Sequence, residues 1–111
     1  MNVLSKESLY TLHVNVYFTL TMKFRHKGLE AYWENGSRAG IDPQLGRRIG
    51  MRLVPLSGAT EPKDMNIPGF DFHELKGDRA GTYAVHVNGP WCITFRWADG
   101  EAVDVDFENY H

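Results

Sequence analysis

Apolar and polar residues alternate along two parts of this chain, and a different spacing separates them. From Leu12 to Phe24 every even position is apolar, through Val14, Val16, Phe18, Leu20 and Met22, while the odd positions are polar or charged apart from Tyr17. Period two held over that length predicts a β-strand. After Gly28 the spacing changes: Leu29, Tyr32 and Trp33 share one face, Glu30 and Glu34 lie opposite, and Asn35-Gly36 follows. That is two turns of amphipathic helix stopped by glycine. A second helix is predicted from Asp42 as its cap and Pro43 as its first residue, with Leu45, Ile49, Leu53 and Leu56 as its apolar stripe. Arg47, Arg48 and Arg52 fall off the stripe, as a solvated face or as a surface for RNA or a partner. Pro55 lacks a backbone donor, which predicts a kink or an end near Val54.

No period survives from residue 57 to 69, where Gly58, Pro62, Asn66, Pro68 and Gly69 mark a loop anchored by Met65 and Ile67. Alternation then returns. Phe70 and Phe72 oppose Asp71 and His73; Tyr83, Val85 and Val87 form the next apolar set, then Trp91, Ile93, Phe95 and Trp97, then Val103, Val105 and Phe107. Gly77-Asp78, Asn88-Gly89-Pro90 and Asp99-Gly100 supply the turns between them. Connections this short join antiparallel neighbours, because a parallel crossover needs a dozen or more residues. The fold class is therefore α+β, with two N-terminal helices packed on an antiparallel sheet of four to five strands. One sheet face is apolar and meets the helices; the other is polar and open.

Composition narrows the setting. At 111 residues the chain is one domain. Its single cysteine, Cys92, excludes an intrachain disulfide and suits a reducing cytoplasm. No stretch approaches the roughly eighteen consecutive apolar residues of a membrane helix, and His13, Asn15 and Thr19 interrupt any signal-peptide core. Met22 is a second candidate start. Residues 1–21 then read as an N-terminal extension, an added strand or an upstream translated segment, ahead of a domain at 22–111. The net charge of −2 hides an asymmetry: residues 22–57 carry seven Lys and Arg against three acids, and residues 58–111 carry four against ten.

The candidate chemistry lies in the acidic half. His73 falls on the open face together with Cys92, Lys76 follows His73, and Tyr110 and His111 continue off the last strand. Histidine changes charge near neutral pH, so two of them can share proton removal and donation. Lysine supplies a compact cation for a phosphate. The five histidines form no close pair at metal-ligand spacing, and neither a zinc site nor a phosphate-cradling glycine loop is present. No metal or cofactor is expected.

Four stretches carry a resemblance: Phe24-Arg25-His26-Lys27-Gly28-Leu29, Leu75-Lys76-Gly77-Asp78-Arg79-Ala80-Gly81, Trp91-Cys92-Ile93-Thr94-Phe95-Arg96-Trp97, and the terminal Tyr110-His111. In this order, from Met22 onward, the chain resembles the HigB-type toxins of the RelE/ParE superfamily, bacterial type II toxin-antitoxin proteins also described as plasmid maintenance system killer proteins. The resemblance implies a RelE-like fold and a cytoplasmic, metal-independent, ribosome-dependent endoribonuclease that cuts translated messenger RNA. It implies catalytic roles for His73, His111, Tyr110 and Lys76. It also implies a helix-turn-helix antitoxin as partner, with operator DNA reached only through that antitoxin.

Two positions depart from the family pattern. Cys92 stands where the family commonly has arginine in Trp-Arg-Ile-Thr-Phe, and Asn109 replaces an acidic residue before Tyr-His. A phosphate-stabilising guanidinium is thus missing unless Arg79 or Arg96 supplies it, and the expectation is an attenuated nuclease in which Arg79, Arg96, Cys92 and Asn109 line the substrate site. Two other classes stay open: a catalytically inactive antitoxin-binding or co-repressor module, and a ParE-like inhibitor of DNA gyrase.

Overall fold

In the computed structural model two helices cover one face of a four-stranded antiparallel sheet, so the α+β expectation holds. The structure describes residues 22–109. Most of the strand expected from Leu12 lies outside them, as do Tyr110 and His111. What is described of its end lies beside the last strand, where Phe24 bridges Val105 in parallel and the Val105 N–H donates to the Lys23 carbonyl at 3.0 Å.

Helix α1 (Lys27–Asn35) is capped by a side chain at its start and by backbone conformation at its end. His26 caps it, its Nδ1 accepting from the Leu29 N–H at 3.0 Å, and Gly36 closes it at φ 75°, a conformation that glycine adopts without a Cβ penalty. A Cβ on Gly28 would stand 2.6 Å from the Gly40 carbonyl oxygen, so the segment between the helices crosses α1 only because both residues are glycine. Helix α2 (Gly46–Gly58) starts later than Asp42 predicted. Asp42 instead accepts from the Gln44 and Leu45 N–H groups, both at 2.9 Å, and closes a separate turn. Its expected end near Val54 is also corrected: Pro55 sits inside the helix, which runs on to Gly58. The proline forfeits only the bond to Met51, a residue on the exposed side of α2.

The sheet comprises β1 (His73–Glu74), β2 (Tyr83–Asn88), β3 (Trp91–Ala98) and β4 (Glu101–Asn109), ordered as numbered. Leu29 from α1, Ile49, Leu53 and Leu56 from α2, and Val85, Ile93, Phe95 and Val105 from the sheet make a core from which water is excluded. The loop expected at 57–69 contains one 3-10 turn (Pro62–Met65), and Met65 is fully buried as its anchor. Strict alternation fails in β4. The register slips between Thr94 and Arg96, Asp104 takes φ 52°, and Ala102 rather than Val103 joins Val105 in the core. A bulge of this kind places two residues opposite one and turns the following side chains over.

Arg52 departs from the solvated or partner-facing role expected of it. It is buried, stacks on the Phe70 ring, and donates from Nε to the His86 carbonyl at 2.8 Å and from a terminal nitrogen to the Arg48 carbonyl at 3.2 Å. Arg48 reaches the Val87 carbonyl and the Asn88 amide oxygen. Beyond the two residues of β1 the edge of β2 is met at the His86 N–H by the Phe70 carbonyl, at 2.7 Å, and at the His86 carbonyl by Arg52, beside the register shift between His86 and Asn88. Arg47 remains exposed. No described helix is long and apolar enough to cross a membrane.

Candidate active site

Register fixes which side chains share the face turned away from the helices. His73 pairs with Ala84, Ala84 with Thr94, and Thr94 with Asp106; His86 pairs with Cys92, and Cys92 with Glu108. Directly opposed residues project to the same side. His73, Thr94, Cys92 and Glu108 therefore occupy one face, and at a strand spacing of roughly 4.8 Å the His73 and Thr94 backbones lie about 10 Å apart. The face is not open, contrary to expectation. Leu75, Ala84 and Cys92 form a small buried cluster on it and Thr94 is buried beside them.

The cover is the connection from β1 to β2. It contains a short 3-10 turn (Gly77–Arg79) with exposed Lys76 at its head, and the Leu75 N–H donates to the Thr82 carbonyl at 2.8 Å to close its neck. The connection leaves one edge of the sheet and yet reaches the other. Arg79 makes a two-pronged pair with Glu108 on β4, at 3.0 and 2.9 Å, and Glu108 also accepts a short hydrogen bond from the Thr94 hydroxyl. These bonds hold the Glu108 carboxyl below the usual carboxylate range, the Arg79 bond foremost and Thr94 helping, against burial that pushes it up.

His73 is oriented by its own chain. Its Nδ1 lies 2.9 Å from the Asp71 carbonyl, which can only accept, so Nδ1 carries the proton and the neutral ring's lone pair is on Nε2. Asp71 presents that carbonyl from a left-handed conformation, φ 48°, which also interrupts the strand expected from Phe70. Cys92 sits beneath the cover with its thiol pushed up by burial, and further by the charges of Asp71 and Glu108. It is a neutral packing residue and offers no charge to a phosphate.

The remaining expected residues divide. Arg79 is brought to β4, beside the Cys92 partner Glu108. Arg96 points along the same face toward the neck of the connection and donates to the Thr82 hydroxyl at 3.2 Å. Between them opens a cleft of about 160 Å³ lined by Arg25, Arg79, Arg96, Thr94, Asp104 and Glu108, among others. Asn109, the last described residue, is exposed and pairs with Trp91 at the end of β4. Sequence reasoning missed Glu108 and Thr94. The polar alternation Asp104, Asp106, Glu108 was visible, but the partner of Glu108 lies 29 residues away and no local spacing reveals it.

Comparison with known proteins agrees with this geometry. Residues 22–111 match the family model described as RelE-like toxin of type II toxin-antitoxin system HigB. The chain is 39% identical over 88 residues to Endoribonuclease HigB of Proteus vulgaris, covering 79% of this chain and 96% of that protein. It is 29% identical over 87 residues to Toxin HigB-1 of Vibrio cholerae serotype O1, covering 77% of this chain and 92% of that protein. A matching model across the whole described region and a relative covered almost end to end carry one conclusion: the chain belongs to the HigB family of RelE-like toxins of type II toxin-antitoxin systems.

Proposed function

We propose that this toxin is a ribosome-dependent endoribonuclease that cuts messenger RNA by attack of a nucleotide's 2′-hydroxyl on the adjacent phosphate. The P–O5′ bond breaks, leaving a 2′,3′-cyclic phosphate and a 5′-hydroxyl. One group must take the 2′-hydroxyl proton, another must protonate the departing 5′-oxygen, and positive charge must meet the phosphate. The observation that carries the reading is His73, whose tautomer is set by the Asp71 carbonyl so that Nε2 bears the lone pair of a base. His111 is its acid-base partner, Tyr110 orients or stacks on a base, and Lys76, exposed at the head of its turn, holds the phosphate. The name of the Proteus vulgaris relative supports the same reaction.

Membership in a toxin-antitoxin family implies an antitoxin partner. We take it to be a helix-turn-helix protein that carries the toxin to operator DNA, with both acting in the cytoplasm. Residues 22–111 are the working unit of the proposal, and residues 1–21 are an extension to it.

Induced expression in a bacterium, with messenger RNA 5′ ends mapped, tests the proposal against His73→Ala and His111→Ala. Growth arrest with new ends inside translated frames, both lost in either variant, is the expected result. Arrest that persists in both variants would replace the nuclease with a binder of gyrase or another target. No arrest and no new ends would replace it with an inactive antitoxin-binding module.

A further inference from the structure

We propose that Arg79 supplies the phosphate-stabilising guanidinium that position 92 lacks, with Glu108 as the positioning residue that holds it over the polar face. This rests on the nuclease reading above and adds a group to it. Three observations meet here. Cys92 is small and buried, and Leu75 packs onto it and Ala84, so the connection carrying Arg79 lies down where a longer side chain would stand. Arg79 crosses from that connection to β4 and is fixed there by two bonds to Glu108, which is Cys92's own cross-strand partner. Glu108 is itself fixed by the buried Thr94 hydroxyl, so the guanidinium is set before any substrate arrives.

The donors suffice. The pair with Glu108 uses one N–H from each terminal nitrogen of Arg79; the other N–H of each, and the Nε–H, are left for a second oxyanion. The guanidinium is partly exposed, with a side chain 39% accessible, and lines the cleft with Arg25 and Arg96. Lys76 stands at the head of the same short turn. The connection that carries the proposed phosphate-binding lysine thus also carries a preorganised fork, and preorganised charge counts most where negative charge develops in the transition state. Lysine at position 79 would keep a cation for Glu108 but could not span a carboxylate and a phosphate together.

The test uses the full chain and a short messenger RNA on programmed ribosomes, carrying sulfur in the Rp or Sp position of the scissile phosphate. Arg79→Ala, Arg79→Lys and Glu108→Gln are compared for kcat, KM, thermal midpoint and the rate ratio between the two diastereomers. Arg79→Ala should lower kcat by roughly a hundredfold to a thousandfold with KM little changed. Arg79→Lys should lose nearly as much while keeping its fold, and Glu108→Gln less, because the guanidinium is present but not held. In Arg79→Ala the diastereomer ratio should move toward that of a site without the contact, which a purely structural clip would leave in place. Retained kcat in Arg79→Ala, an unchanged diastereomer ratio, or losses that merely follow the fraction unfolded would each overturn the proposal. A wild-type chain that cuts nothing removes the nuclease reading and this assignment together; one whose cutting survives Arg79→Ala removes this assignment alone.

Discussion

On the helix side of the sheet Ile93 and Phe95 are buried among apolar side chains from both helices; on the other side Thr94, between them in sequence, is just as buried, but under a glutamate and an arginine. The first face is held by area and shape. It tolerates no water and asks nothing of chemistry beyond volume. The second is held by a few directed bonds, each of which a substrate phosphate could compete for or exploit. On the proposed nuclease reading the toxin needs both, because groups aimed at a phosphate must not move when the phosphate arrives. The difference also separates two kinds of damage: loss of the fold that takes activity with it, and loss of activity in an intact fold.

The sharpest break in that comparison is Phe95→Ala. Emptying a fully buried phenylalanine site that also meets Tyr83 and Trp97 should cost about 3–5 kcal/mol, a large share of the stability of a domain this size. Thermal or urea denaturation measures it, and any loss of toxicity in this variant should follow the folded fraction. His73→Ala is the opposite case. Its ring is half-buried on a two-residue edge strand, so the midpoint should scarcely move while cleavage disappears.

The two faces were also unequally legible in the sequence. Val85, Ile93 and Phe95 could be assigned to the core because period-two alternation is a local property that the pleat obeys. The same rule misplaced Val103, since a bulge at Asp104 changes the count and nothing local announces it. On the polar face His73 was singled out by its chemistry and by resemblance, and alternation put it on the side away from the helices. Glu108 was not, because its role depends on a connection folding back across the whole sheet to meet it. Arg52 failed in the same way. Its helical position suggested solvent, but the shortness of β1 leaves the His86 carbonyl without a strand partner and draws the guanidinium inward.

Arg52 gives the intermediate test, since it is a directed contact on the helix side of the sheet. Arg52→Ala should cost about 2–3 kcal/mol, from charge-assisted bonds to two carbonyls and the stack on Phe70. Arg52→Met keeps most of the stem's packing and should recover part of that loss, with the remainder assignable to the His86 and Arg48 carbonyls. Equal losses in the two variants would mean that packing contributes little there. Denaturant midpoints of both, compared with cleavage by the folded fraction, place Arg52 with the scaffold if activity per folded molecule is unchanged.

The smallest effect is the most specific to the polar face. Glu108 has a depressed carboxyl in the folded chain, so its pairing stabilises fully above the unfolded carboxylate value of about 4.3 and is lost as pH falls through the lower folded value. Glu108→Gln cannot titrate. It should be less stable than wild type by about 1–2 kcal/mol near neutral pH, at the lower end because Arg79 is partly exposed to solvent. Thermal midpoints from pH 3 to 8 should then show a gap that is constant above about pH 6 and closes as acid protonates the wild-type carboxylate. A gap that stays open in acid would mean that glutamine fails at this position for reasons of shape, and that the charge between Arg79 and Glu108 does not hold the connection across the sheet.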